Sequence, residues 1–312
     1  MGTSPNSYWS RDLEYSPSKP EWITRIAVLG DSITFGLGVE LENSYHKLLE
    51  KELNRSSDEA KFEVPSFNMG AADTVWAIDK YLKQVRNFHP DIVILGFCLN
   101  DILDYSQFEL SSQQILDNTP LELRIIGSFL RLHYLLRRYS HLYFMVVERS
   151  KPFMYRHFLD IRRKNPDYWI PIETDTPEYK KRFESTVQKL VEFSRIVAED
   201  GARLIVVIFP YEIQLSDRHV DLYVNEYRLQ IYSDAPKAEV QRQLIEALKA
   251  NSIEYIDLLA PYRTFSKEHP DTPMFFSSIV GVVDWMHPNE KGHQVAADSI
   301  AEYLAQHSKP HR

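Results

Sequence analysis

The sequence predicts an α/β chain built on a parallel sheet with helices over both faces. Three observations point there. Apolar runs of strand length recur along the chain, they lack the alternation of a half-exposed strand, and helical patterns lie between them.

The elements follow in chain order. "RIAVLG" (25–30) is the first strand, and it breaks abruptly at Gly30-Asp31-Ser32. "ENSYHKLLEKELNRS" is a helix starting at Asn43 or Ser44, with apolar residues at helical spacing. "FEVPSFNMG" (62–70) is the second strand, "ADTVWAIDKYLKQVRNF" the helix after it, and "DIVILGFC" (91–98) the third strand. "PEYKKRFESTVQKLVEFSRIVAEDG" is a long helix stopped at Gly201. "RLIVVIFP" (203–210) and "IEYIDL" (253–258) are the last strands, separated by the helix "PKAEVQRQLIEALKANS". "NEKGHQVAADSIAEYLAQH" is a final helix. Residues 104 to about 175 exceed what one crossover needs. Their pattern is helical, aromatic and locally basic, and Arg131, Arg137 and Arg138 interrupt it against a membrane span. We therefore expect a lead-in over 1–24 and one domain over 25–312 carrying an inserted helical cap.

Composition bounds the function. The 312 residues are 44% hydrophobic and 26% charged, with net charge −8 and a pI of about 5.8. A dominant basic surface for nucleic acid is excluded. The single cysteine, Cys98, permits no internal disulfide and no cysteine-rich zinc site, and its apolar run makes it a core thiol. The first 24 residues hold no apolar segment resembling a signal peptide. A cytoplasmic location is expected, or a periplasmic or membrane-anchored one if an N-terminal anchor has been removed.

The turn after the first strand restricts the chemistry. A phosphate-binding loop needs Lys after its second glycine, and Leu37 stands there. A dinucleotide fingerprint needs a third glycine that "GLGVE" lacks. An aspartyl nucleophile at Asp31 wants a second acid where Ile33 sits. Serine catalysis remains. It requires an imidazole to take the hydroxyl proton, an acid to orient the imidazole, and donors for the oxyanion.

"VVDWMHPNEKGHQ" supplies Asp284 and His287 three apart, a spacing that brings a carboxylate beneath Nδ1 within one turn. Taken alone, such a pair also fits an ordinary surface. His293 is placed on the surface of the final helix or packed against it. Gly70 and Asn100 end the second and third strands, where each reads equally as a turn residue. Asp31 and Asp101 read as structural carboxylates that hold turns. What distinguishes the set is convergence: in a parallel sheet these positions share the carboxyl edge.

"GDS" (30–32), the Gly70 turn, "GFCLND" with Asn100, and "DWMHPN" with Asp284 and His287 resemble the four blocks of the SGNH (GDSL-type) hydrolase superfamily, in chain order. The opening "SRDLEYSPSKPEWITRIAVLGDSITFGLGV" further resembles bacterial esterase- and lipase-like members. The resemblance implies a three-layer α/β/α sandwich with a five-stranded parallel sheet of flavodoxin-like order. It implies Ser32 as nucleophile, His287 as general base and then acid, and Asp284 as its orienter. The oxyanion hole would be the N–H groups of Ser32 and Gly70 with the Asn100 amide. No metal or organic cofactor is implied. One departure stands out: the third block usually reads G-x-N-D, whereas Gly96 here lies four residues before Asn100.

Three functions stay open on sequence. One is a serine esterase cleaving an O-acyl ester of a carbohydrate, lipid or other small molecule through an acyl-enzyme. Another is an O-acyltransferase using the same site, and the third an inactive binding protein on a hydrolase shell. Cap residues such as Phe129, Tyr134, Tyr143 and Phe144 would line an acyl channel, touch a membrane surface, or fill the cap's own core. Oligomeric state has no signal in the sequence.

Overall fold

A computed structural model of the chain describes residues 6–56, 61–70, 72–102, 177–221, 238–276, 278–279, 282–284 and 286–307. The expected cap lies outside these residues. Contacts divide the described residues into two units. The larger holds everything below except one antiparallel pair, β7 (Ser278–Ile279) with β8 (Val282–Val283), which belongs to the smaller.

The sheet of the larger unit is parallel. It comprises β1 (Ile23–Gly30), β2 (Lys61–Glu63), β3 (Ser66–Asn68), β4 (Ile92–Cys98), β5 (Arg203–Phe209) and β6 (Glu254–Asp257). The spatial order is β2-β1-β4-β5-β6, with β3 also pairing β1. This is six strands where five were expected, and the reason is local. Ile23 pairs with Lys61 and Val28 with Ser66, so β2 and β3 run along β1 in one unbroken register. Between them Pro65 has no N–H to give the ladder, although its carbonyl still accepts the Val28 N–H at 2.9 Å. One edge strand is thereby cut in two, and the five sheet positions keep the flavodoxin-like order.

β4 and β5 are buried nearly throughout, which explains their continuous Val, Ile, Leu and Phe. The helices follow from amphipathic spacing. α2 (Tyr45–Arg55) buries Tyr45, Leu49 and Leu53, and α6 (Glu239–Ala250) buries Val240, Leu244 and Leu248. α3 (Thr74–Lys83) starts at Asp73, whose carboxylate accepts the Trp76 N–H. α4 (Pro177–Glu199) packs against α3 and α6, while α8 (Glu290–His307) packs against α2. With this strand order, the right-handed rule for parallel crossovers assigns α2 to one face and α3, α4 and α6 to the other, in keeping with the helix contacts and with three layers. Among the described residues no helix is long and apolar enough to cross a membrane.

Two short helices escaped the sequence reading, α5 (Asp217–Asp221) and α7 (Leu259–Glu268). The second contains Pro261, normally a breaker. It sits in the first turn, where no N–H partner is required of it.

Residues 6–22 lie against the sheet edge. The Arg11 N–H donates to Asn68 Oδ1 at 3.1 Å, and Asn68 Nδ2 returns a bond to the Arg11 carbonyl at 3.3 Å. Asp12 accepts the Ser66 N–H at 2.6 Å and pairs with Lys47 at 2.9 Å. The buried Arg25 guanidinium reaches Glu63, the Pro17 carbonyl and the Phe88 carbonyl at 2.5, 3.1 and 2.7 Å.

Candidate active site

Strand β1 delivers the chain to the carboxyl edge beside β4, where the strand order reverses and such sheets form their crevice. Asp31 closes the strand and caps α1 (Ser32–Phe35), its Oδ1 accepting the Ile33 N–H at 2.9 Å. That is the turn-holding part expected of it. Ser32 is therefore the first residue of a one-turn helix. Its Oγ lies 2.8 Å from His287 Nε2, across 255 positions of sequence.

His287 is held from three sides. Its Nδ1 lies 2.6 Å from Asp284 Oδ2. Asp284 Oδ1 accepts the N–H groups of Met286 and His287 at 2.9 and 3.0 Å, so one carboxylate orients the ring and closes the turn beneath it. The His287 carbonyl accepts the Phe276 N–H at 3.1 Å, and Met274 accepts from Asn289 at 2.8 Å. Asn289 then caps α8, its Oδ1 taking the N–H groups of Lys291 and Gly292.

The other two expected residues stand at neighbouring strand ends. Gly30 pairs with Asn68 and with Gly96. Gly70 thus follows the edge strand by two residues and is exposed; a Cβ there would meet nothing within 4 Å. Asn100 lies in the 3-10 turn Leu99–Ile102 after β4, half-buried, with an Oδ1 that is buried and without a hydrogen-bond partner. Gly96 has its own reason to be glycine. A Cβ would fall 2.6 Å from Thr34 Oγ1 and 2.7 Å from Tyr45 Oη, the two hydroxyls that bond each other at 2.9 Å beneath α1.

Under the serine the interior is acidic. Burial pushes Asp31 up to about 6, opposed by the Ile33 N–H and the His287 charge. Asp101 is raised well above the usual carboxylate range by burial and by Asp31 and Asp73. Burial and these carboxylates likewise raise the Cys98 thiol, which sits in the core as its sequence context suggested. Of the two positions expected for His293, the packed one is observed, and the side chain is buried. Its Nδ1 accepts the Tyr45 N–H at 3.1 Å, its ring stacks on Tyr45, and desolvation brings it down to about 3. Such an imidazole stays neutral and supports packing.

Among the described residues no three His, Cys, Asp or Glu side chains stand together as metal ligands. The sequence reading passed over Arg11, whose guanidinium lies against the turn following Ser32. Its partners there are main-chain carbonyls, so the sequence carries no signal for it.

A model of the GDSL-like lipase/acylhydrolase family matches residues 28–295. No curated protein matches the sequence. Among solved structures the chain is similar to TesA, at 10% identity and a TM-score of 0.47, covering 91% of this chain and 99% of that one. It is similar to the acetyl xylan esterase AlAXEase at 16% identity and 0.48, covering 90% and 99%. It is also similar to a GDSL-like lipase from Bacteroides thetaiotaomicron at 10% identity and 0.44, covering 94% and 92%.

Proposed function

The chain belongs to the GDSL-like lipase/acylhydrolase family and is an ester hydrolase; on that premise we propose that it cleaves O-acyl esters of small molecules through an acyl-enzyme on Ser32. The observation that supports this most is the unbroken line from Ser32 Oγ to His287 Nε2 and from Nδ1 to Asp284, at 2.8 and 2.6 Å.

The steps follow from that line. Ser32 Oγ attacks the ester carbonyl carbon as Nε2 takes its proton. Asp284 keeps the remaining proton on Nδ1 and stabilises the imidazolium. The carbonyl oxygen becomes an oxyanion, received by the N–H groups of Ser32 and Gly70 and by the Asn100 side-chain amide. The intermediate collapses, the C–O bond to the alcohol breaks, and Nε2 returns the proton to the departing alkoxide. Water then repeats the cycle on the acyl-enzyme, with His287 first base and then acid, releasing the carboxylic acid.

Rapid mixing with p-nitrophenyl acetate tests the reading. We expect a burst of nitrophenol near one equivalent per chain, with acetyl found on the Ser32 peptide after acid quench. An Asp, His or Lys carrying the acetyl instead, or Ser32→Ala retaining the burst, would overturn it.

A further inference from the structure

We propose that Arg11 is a positioning residue for Ser32, holding from the outside the turn that presents the nucleophile. The inference rests on the serine-esterase reading above and adds a residue to it.

Four turn carbonyls carry the argument. α1 is a single turn, too short to sustain itself, and its last carbonyls have no partner within the helix. Ser32's own carbonyl accepts the Leu37 N–H at 3.1 Å, so Ser32 to Leu37 is one closed loop. The chain then passes two left-handed glycines, Gly36 at φ 70° and Gly38 at φ 93°. Glycine at such positions leaves the backbone with wide conformational freedom. Arg11 spans this stretch. Its Nη1 donates to the Phe35 and Gly36 carbonyls at 3.0 Å each, and its Nη2 to the Val39 carbonyl at 2.8 Å. The cation also stands 5.5 Å from the centroid of the Phe35 ring. A rigid planar fork can join carbonyls on both sides of the glycines, and a lysine ammonium cannot do so in the same geometry.

Arg11 is itself anchored. The paired bonds with the Asn68 side chain fix its backbone to the edge strand, and Asn68 is in register with Gly30. Asp31 caps the start of α1 and Arg11 closes its end. Ser32 Oγ must stay within hydrogen-bond reach of a ring carried by a distant loop, and displacement of a reacting atom by about 1 Å lowers rate on the order of 100-fold.

The test uses Arg11→Ala and Arg11→Lys beside wild type and Ser32→Ala, well below the thermal midpoint of each. Readouts are kcat and KM on p-nitrophenyl acetate and the rate of fluorophosphonate labelling at Ser32. For Arg11→Ala we expect kcat and labelling to fall about 10- to 100-fold with KM within about threefold. Arg11→Lys should recover only part of the loss. Guanidinium ion at low concentration should raise the rate of Arg11→Ala, and sodium at equal ionic strength should not. A staple for stability alone would lower the midpoint and leave the folded variant at the wild-type rate; that result overturns the inference. If Arg11→Ala does not fold, Arg11→Lys decides: labelling within twofold of wild type overturns it. Wild type unlabelled at Ser32 would defeat the esterase reading itself, an outcome distinct from labelled wild type with indifferent Arg11 variants.

Discussion

Replacing Asp284 by asparagine separates the two tasks of one carboxylate. Oδ1 takes two backbone N–H groups at 2.9 and 3.0 Å, while Oδ2 faces His287 Nδ1 at 2.6 Å. An asparagine that keeps the backbone bonds must turn its NH₂ toward the ring. Nδ1 then accepts a hydrogen bond, the ring proton moves to Nε2, and Nε2 can no longer take the proton of Ser32. Loss of the base tautomer in this way corresponds to about 10³- to 10⁴-fold in kcat, or roughly 4–5 kcal/mol of barrier. Folding stability should change little, because the turn keeps its acceptor. Asp284→Ala behaves differently. It loses both backbone bonds, about 1–3 kcal/mol of stability, as well as the orienter. Steady-state hydrolysis of p-nitrophenyl acetate and urea unfolding on the same preparations give both quantities. An asparagine variant within tenfold of wild-type kcat would show that Asp284 does not set the tautomer, and one destabilised as much as the alanine variant would show that the turn does not keep its acceptor.

Two further expectations follow from the surroundings of Ser32. Asp31 holds its proton up to about pH 6 in the folded state against an ordinary value of 3.8, so its contribution to stability is fullest below 3.8 and is lost as pH rises through 6. That difference amounts to about 3 kcal/mol at most. Asp31→Asn, which can still cap α1, should therefore gain on wild type between pH 4 and 7 in urea titrations; parallel stability curves would contradict this. Gly96→Ala should cost about 1–3 kcal/mol by forcing a methyl against Thr34 and Tyr45. Adding Thr34→Ala with Tyr45→Phe should recover much of it, and strictly additive losses would show that the contact is not the cause.

What the sequence made legible follows from burial. β1, β4, β5 and β6 lie within two residues of their expected bounds because strands covered on both faces must be apolar throughout. The edge strand was legible as one run and not as two, since the hydrophobic pattern continues through Val64-Pro65 while the ladder does not. α7 was hidden by Pro261, whose tolerance depends on its place in the first turn. For the candidate site, Ser32, Asp284 and His287 could be named because each type is tied to a chemical need, and the fold brings them together. For His293 the sequence left a surface and a packed position both open. Its burial depends on α2 packing against α8, a contact between distant segments. Arg11 was illegible for a related reason. Its partners are main-chain carbonyls, which any sequence supplies, so no residue pattern announces the interaction.

The proposed chemistry depends on an activated Ser32. Fluorophosphonate labelling located by mass spectrometry, on wild type, Ser32→Ala and His287→Ala, tests it without knowledge of the natural ester. One adduct is expected, on Ser32, absent from Ser32→Ala and slowed by orders of magnitude in His287→Ala. A folded wild type that takes no label, or a His287→Ala protein labelled at the wild-type rate, would contradict it.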